Sequence, residues 1–98
     1  MDENKIKSYL GFAIKSGKVV FGYDNLFITK KMPLLTLISA TQGDKMRDKV
    51  IAFCLEKKIK CIVLPFALED VLGRNCKVIS ILDSSLSSAI YNELKMEN

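Results

Sequence analysis

The sequence predicts a single α/β domain over residues 1–98, in which a small mixed sheet of about four strands is sandwiched between about five helices. Helical and strand-like patterns alternate along the whole chain. Several strand-like runs are almost entirely apolar, as in strands that are covered on both faces. The connections between the patterns are too short for separate cores. We therefore expect a three-layer αβα sandwich.

The first third of the chain has the pattern of a helix, a short strand and a second helix. Apolar residues recur at helical spacing over residues 6–14, and Gly17 is positioned to end that helix in the left-handed conformation. Residues 19–21, with the sequence VVF, predict a short strand. Gly22 breaks this strand, and residues 23–31 predict the second helix.

The middle of the chain predicts a central strand followed by a third helix. Pro33 blocks further helix, and residues 34–40 form a nearly unbroken apolar run. Thr41 and Asp44 have the spacing of a capping box, with Asp in place of Glu, and helical spacing then continues through residue 58.

The rest of the chain continues the alternation. Residues 61–64 and 77–82 predict two further strands, and residues 67–72 predict a short helix that Gly73 ends. Asp83 offers a side-chain cap for a terminal amphipathic helix.

Composition and cysteine usage point to a globular protein of the cytoplasm. The chain is 49% hydrophobic and 27% charged, and no apolar run is long enough to cross a bilayer, so we expect no membrane contact. Cys54, Cys61 and Cys76 are odd in number and form no Cys-x-x-Cys pair. We expect buried free thiols in a reducing compartment, and no metal site.

Little in the sequence indicates catalysis. Histidine is absent, which removes the commonest general acid and base. Residues 11–18, GFAIKSGK, lack the glycine spacing and the hydroxyl residue of a phosphate-binding loop. The adjacent Glu69 and Asp70 point in different directions on a short helix, which favours a solvated surface. We therefore expect no enzyme activity and no cofactor.

Positive charge is concentrated in the first half of the chain. The net charge is +4, and residues 1–49 carry nine Lys or Arg against five acidic residues, whereas residues 50–98 carry six of each. This asymmetry is typical of a surface that faces a polyanion, although ordinary solubility would also account for it.

Residues 15–25 combine a helix end, a short strand and the start of a new helix. The free backbone N–H groups of the new helix, with Lys15 and Lys18 nearby, could receive an anion such as phosphate. The alternative is a glycine turn in which Asp24 or Asn25 serves only as a helix cap.

The segment at residues 16–22, SGKVVFG, together with LGR at 72–74 and VISILD at 78–83, resembles the kink-turn-binding ribosomal protein family. Its members include archaeal L-seven-Ae and eukaryotic L-thirty-e, and the chain looks closest to the small bacterial YlxQ-like proteins. The similarity covers roughly residues 5–94, and SGKVVFG is its most specific part.

The resemblance implies a three-layer sandwich without enzyme activity that binds sharply bent RNA, with the helix start after Gly22 entering the RNA groove. We expect structured, ribosomal RNA as the partner, with a protein partner possible in a ribonucleoprotein. The expected phosphate contacts are Lys15, Lys18, Lys30, Lys31 and Arg74, and the expected groove contacts are Gly22, Tyr23, Asp24 and Asn25.

The chain departs from the family pattern Gly-x-Asn-Glu-x-x-Lys that follows the short strand. Asp24 and Asn25 stand where Asn and Glu are expected, and Ile28 replaces the Lys. These departures remove a phosphate contact and alter the groups that would reach guanine edges. RNA binding stays the leading hypothesis, and the departures motivate the alternative of a protein-interaction module that kept the fold and lost its RNA contacts, with Phe27 or Ile28 exposed.

Overall fold

Over residues 1–96, the chain folds as five helices and four strands in the alternating order that the sequence predicts. The computed structural model describes residues 1–96, and residues 97–98 of the predicted domain lie outside the described residues. The helices are α1 (Glu3–Lys15), α2 (Gly22–Ile28), α3 (Asp44–Lys57), α4 (Leu68–Leu72) and α5 (Ser84–Lys95), and the strands are β1 (Val19–Phe21), β2 (Leu35–Ile38), β3 (Lys60–Val63) and β4 (Val78–Ile81).

The four strands form one mixed sheet in the order β1-β4-β2-β3. Strand β4 is antiparallel to both β1 and β2, whereas β2 and β3 are parallel. Strands β1, β2 and β3 therefore share one direction. We call the end of the sheet where these three strands finish and β4 begins the carboxyl end, and the opposite end the amino end.

Alternate residues of the central strands face two different helical layers. Leu35 and Leu37 of β2 lie beside Ile81 and Ile79 of β4 and pack against α1, α4 and α5. On the other face, Ile38 and its neighbour in β4 pack against α2 and α3. Each buried Leu or Ile side chain stabilises the fold by about 1.5–3 kcal/mol relative to its exposed state. The predicted αβα sandwich is thus confirmed.

The second face of the sheet also buries two hydroxyl groups. Thr36 of β2 and Ser80 of β4 lie side by side, fully buried, with 2.8 Å between their hydroxyl oxygens. The hydrogen bond satisfies both groups where water cannot reach them. This pairing explains how polar residues are tolerated in strands that are covered on both sides.

The ends of three helices match the residues predicted to form them. Gly17 and Gly73 have φ of 69° and 67°, the left-handed conformation that ends α1 and α4. The carboxylate of Asp83 accepts a hydrogen bond of 2.8 Å from the backbone N–H of Leu86 and so caps α5.

Two local predictions are wrong. Helix α2 ends at Ile28 and not at residue 31, because Thr29 is extended and its hydroxyl donates to the carbonyl of Lys31. Lys31 therefore lies in a loop. The expected capping box does not form either, because Gly43 is the N-cap of α3 without a side-chain hydrogen bond, and the Thr41 hydroxyl donates to Glu69 instead.

Candidate functional site

A cleft of about 500 Å³ opens at the carboxyl end of the sheet, where β1 finishes and β4 begins. It is bounded by the start of α2, by the loop between β2 and α3, and by the loop between α4 and β4. Its lining residues are Phe21, Gly22, Tyr23, Asp24, Asn25, Gln42, Arg74, Asn75, Cys76, Lys77 and Val78. Clefts outside the carboxyl ends of parallel strands are common binding sites in α/β proteins.

The start of α2 forms one wall of the cleft. Gly22 has φ of 78°, which lets the chain turn directly from β1 into the helix at no steric cost. The Asn25 side-chain nitrogen donates a 2.8 Å hydrogen bond to the carbonyl of Phe21, which fixes this turn. Neither Asp24 nor Asn25 caps α2, because the N-cap is Phe21 and it has no side-chain capping bond. Both side chains are exposed.

Arg74 forms the opposite wall and reaches across to β1. Its guanidinium carbon lies 4.5 Å from the centre of the Phe21 ring, within range of a cation–π interaction. The stacked guanidinium keeps its five N–H donors around its rim, a geometry suited to phosphate oxygens. Arg74 is exposed, so these donors are accessible to a ligand.

Sequence reasoning missed three polar residues of the cleft: Gln42, Asn75 and Lys77. Gln42 comes from the loop after β2, and Lys77 immediately precedes β4, where its carbonyl accepts a 2.7 Å hydrogen bond from the N–H of Ser39. Their position depends on β4 lying between β1 and β2. The sequence alone gives no local signal for that strand order.

The charge of the cleft is small and mixed. Among the described residues that line it, Arg74 and Lys77 are positive and Asp24 is negative. The remaining polar groups are amides, which both donate and accept hydrogen bonds. The cleft can therefore contact one or two phosphates and form hydrogen bonds with polar groups of a ligand, but it is not a strongly basic groove.

Four of the predicted contacts lie away from the cleft, at the amino end of the sheet. The Lys18 carbonyl accepts a hydrogen bond from the N–H of Leu82, just beyond the end of β4 that is farthest from the cleft. Lys15 is in the last turn of α1, and Lys30 and Lys31 precede β2 at the same end. The fold thus brings together Gly22, Tyr23, Asp24, Asn25 and Arg74, and separates the four lysines from them.

A carboxylate beside the cleft ties two of its loops together. The hydroxyls of Ser39 and Thr41 each donate to Glu69 at 2.5 Å, and Ser39 is itself buried. Glu69 is thus hydrogen-bonded and only partly exposed, contrary to the expected solvated surface, whereas Asp70 is exposed as expected. These hydrogen bonds lower the pKa of Glu69 from 4.5 to about 2. They stabilise the fold above about pH 4.5, and the stabilisation is lost as the pH falls towards 2.

The three cysteines are free thiols, as predicted. Cys54 and Cys76 are buried, whereas Cys61 is half-buried. A hydrogen bond with Cys54 and burial raise the pKa of the Cys61 thiol, so this group is neutral near pH 7. Within residues 1–96, no group of three or more His, Cys, Asp or Glu side chains could hold a metal ion, and no helix is long and apolar enough to span a membrane.

Comparison with known proteins identifies the fold and leaves the function open. No protein-family model matches the chain, and no curated protein matches it. The chain is similar to a solved structure from Bacillus halodurans C, described as a protein with unknown function, with a TM-score of 0.82 and 20% sequence identity. The match covers 94% of this chain and 98% of that one. At this identity the likeness demonstrates a shared fold.

Proposed function

We propose that the protein binds structured RNA through the cleft at the carboxyl end of the sheet, as a cytoplasmic, ribosome-associated member of the kink-turn-binding ribosomal protein family. The proposal rests on one observation: two segments about fifty residues apart, both singled out by the resemblance, line the same cleft. These are Gly22 to Asn25 and Arg74, which stacks on Phe21.

The groups at this cleft suit a bent RNA better than a regular duplex. Arg74 and Lys77 supply donors for phosphates, and Asn25, Gln42 and Asn75 supply amides for base edges. Bases that are splayed out of a helix expose edges that such amides can reach, whereas the deep major groove of duplex RNA is inaccessible.

The direct test is a filter-binding titration at low salt with a kink-turn RNA and with a straight duplex of matched length and composition. We expect the kink-turn RNA to bind more tightly than the duplex, and Arg74→Ala to weaken that binding. Equal affinity for both RNAs would contradict shape recognition. The absence of binding to either RNA would contradict the proposal as a whole.

A second candidate function is a protein-interaction module. Ile28 of α2 is 77% exposed and lies on the helix that forms one wall of the cleft. Burying this apolar side chain against a protein partner would remove it from water. Phe27 is not exposed as expected, because its ring packs against that of Phe53 with ring centres 5.1 Å apart. Ile28→Lys separates the two functions: it should abolish capture of a protein partner, whereas it should preserve or strengthen binding to RNA.

A further inference from the structure

A second cleft of about 410 Å³ lies at the amino end of the sheet, across the molecule from the proposed RNA site. The loop before β2 supplies an apolar wall, in which Met32 is 52% exposed. Lys58 and Lys60 supply positive charge, and the first turns of α5 supply three serines. None of the lining residues is acidic.

One of these serines carries a buried hydroxyl without a partner. Ser87 is only 6% exposed, and its Oγ has no hydrogen-bond partner among the described residues. A hydroxyl that is removed from water without gaining a hydrogen bond lowers folding stability. Buried polar groups normally have a hydrogen-bond partner, and a ligand in the adjoining cleft can supply one to Ser87.

A second residue of this cleft also lowers the stability of the fold. Lys58 follows α3 in the left-handed conformation, with φ of 61°, at a position where glycine is normally preferred. Glycine there would cost less backbone strain but would remove an ammonium group from the cleft. Two features that cost stability thus border one cavity, as is common at functional sites.

The third element of the cleft is an aromatic ring held by a lysine. The Lys60 ammonium lies 4.4 Å from the centre of the Tyr91 ring, and both residues line the cavity. The amino end of α5 is already capped by the carboxylate of Asp83. Among the lining residues, positive charge therefore comes from the two lysines, because the Asp83 carboxylate offsets the positive end of the helix dipole.

From this arrangement we infer that the second cleft binds a phosphate group, with an apolar or aromatic part of the same ligand against Met32 and Leu34. Ammonium groups and hydroxyls are donors towards such a ligand, and a phosphate offers several strong acceptor oxygens for them. Two sources share this chemistry: a small phosphorylated molecule, and a phosphate of a nucleic acid chain. The inference is independent of RNA binding at the first cleft.

The test is a titration of the labelled protein followed by backbone amide NMR, with phenyl phosphate as the probe. Phenol and inorganic phosphate, which each carry one half of the probe, serve as controls. We expect amide shifts at residues 58–60 and 84–88, with phenyl phosphate binding more tightly than either control. An unlabelled single-stranded RNA that displaces the probe would identify nucleic acid as the source, and failure to displace it would identify a small molecule.

Two variants separate binding from folding. Ser87→Ala removes the unpaired hydroxyl and Lys58→Gly relieves the strained backbone, so both should leave the melting temperature unchanged or raise it. Each should weaken phenyl phosphate binding, by about tenfold for the loss of one charge-assisted contact. Arg74→Ala should have no effect on this binding. Unchanged affinity in Ser87→Ala and Lys58→Gly, or probe shifts confined to residues 22–25, would overturn the inference.

Discussion

Replacing Arg74 by alanine should lower both the affinity for RNA and its dependence on salt. Among the described residues, Arg74 and Lys77 are the cations that line the first cleft. Each phosphate that is neutralised contributes about −0.9 to the slope of log affinity against log salt concentration. With two phosphates engaged, the expected slope is about −1.8, and Arg74→Ala should reduce it to about −0.9.

The affinity should fall by about tenfold. A hydrogen bond to a charged group contributes about 1.5–3 kcal/mol, and the exposure of Arg74 places its contribution at the low end because water screens it. Arg74→Lys is the matched control for charge. It should keep the slope but lose part of the affinity, because an ammonium group cannot stack its plane on Phe21.

The measurement is filter binding of a kink-turn RNA at potassium chloride concentrations between about 0.05 and 0.3 M. The double variant Lys15→Ala/Lys18→Ala serves as a control at the amino end of the sheet. A wild-type slope steeper than about −3 that becomes shallower by about 1.8 in this double variant, as for two lost phosphate contacts, and stays unchanged in Arg74→Ala would refute the reasoning. The RNA phosphates that bind the protein would then contact the amino end of the sheet and not the cleft.

Three further predictions concern the fold that supports the cleft. Gly22→Ala should destabilise the protein by about 1–2 kcal/mol, because a φ of 78° is unfavourable for alanine even though the added methyl group meets no neighbour. Gly11→Ala, in the exposed interior of α1, should instead stabilise the protein by about 0.5–1 kcal/mol. Equal effects in urea unfolding would contradict this. Glu69→Gln should lower the melting temperature at pH 7 and change it much less at pH 2, since a carboxylate with a pKa of about 2 is half protonated there and most of its stabilisation is lost. A loss of the same size at both pH values would show that the charge is irrelevant. Thr36→Val should cost about 1–3 kcal/mol because it leaves the Ser80 hydroxyl buried and unpaired, and Thr36→Val/Ser80→Ala should recover part of that loss in a double-mutant cycle. If the stability losses of the two single variants simply added in the double variant, the result would count against this hydrogen bond.

The sequence predicts the fold well because the signals for each element are local. Helical spacing, the glycines that end α1 and α4, and the cap at Asp83 all act within a few residues. The capping box at Thr41 fails for the opposite reason. Its hydroxyl donates to Glu69, 28 residues further along the chain, and this hydrogen bond forms in place of the local one at the start of α3.

The candidate site is only partly predictable for the same physical reason. Gly22 and Arg74 are found through a resemblance, but Lys77 is not, because its position follows from β4 lying beside β1. Lys18 is only four residues before Gly22, yet a strand separates them. At about 3.3 Å per residue, their backbones lie about 13 Å apart at opposite ends of β1. The short distance between Lys18 and Gly22 in the sequence therefore does not place them in one site.

That separation determines what the lysines of the amino end do for RNA binding at the cleft. The Debye length is about 8 Å at physiological salt and about 30 Å at 0.01 M, so charges about 13 Å away are largely screened in the first case and active in the second. Lys15→Ala/Lys18→Ala should therefore slow association with RNA at low salt and leave the dissociation rate unchanged, because steering acts before contact. Stopped-flow association measured at both salt concentrations provides the comparison. A faster dissociation in this variant would mean that the lysines touch the bound RNA, so that the RNA extends along β1 to the amino end.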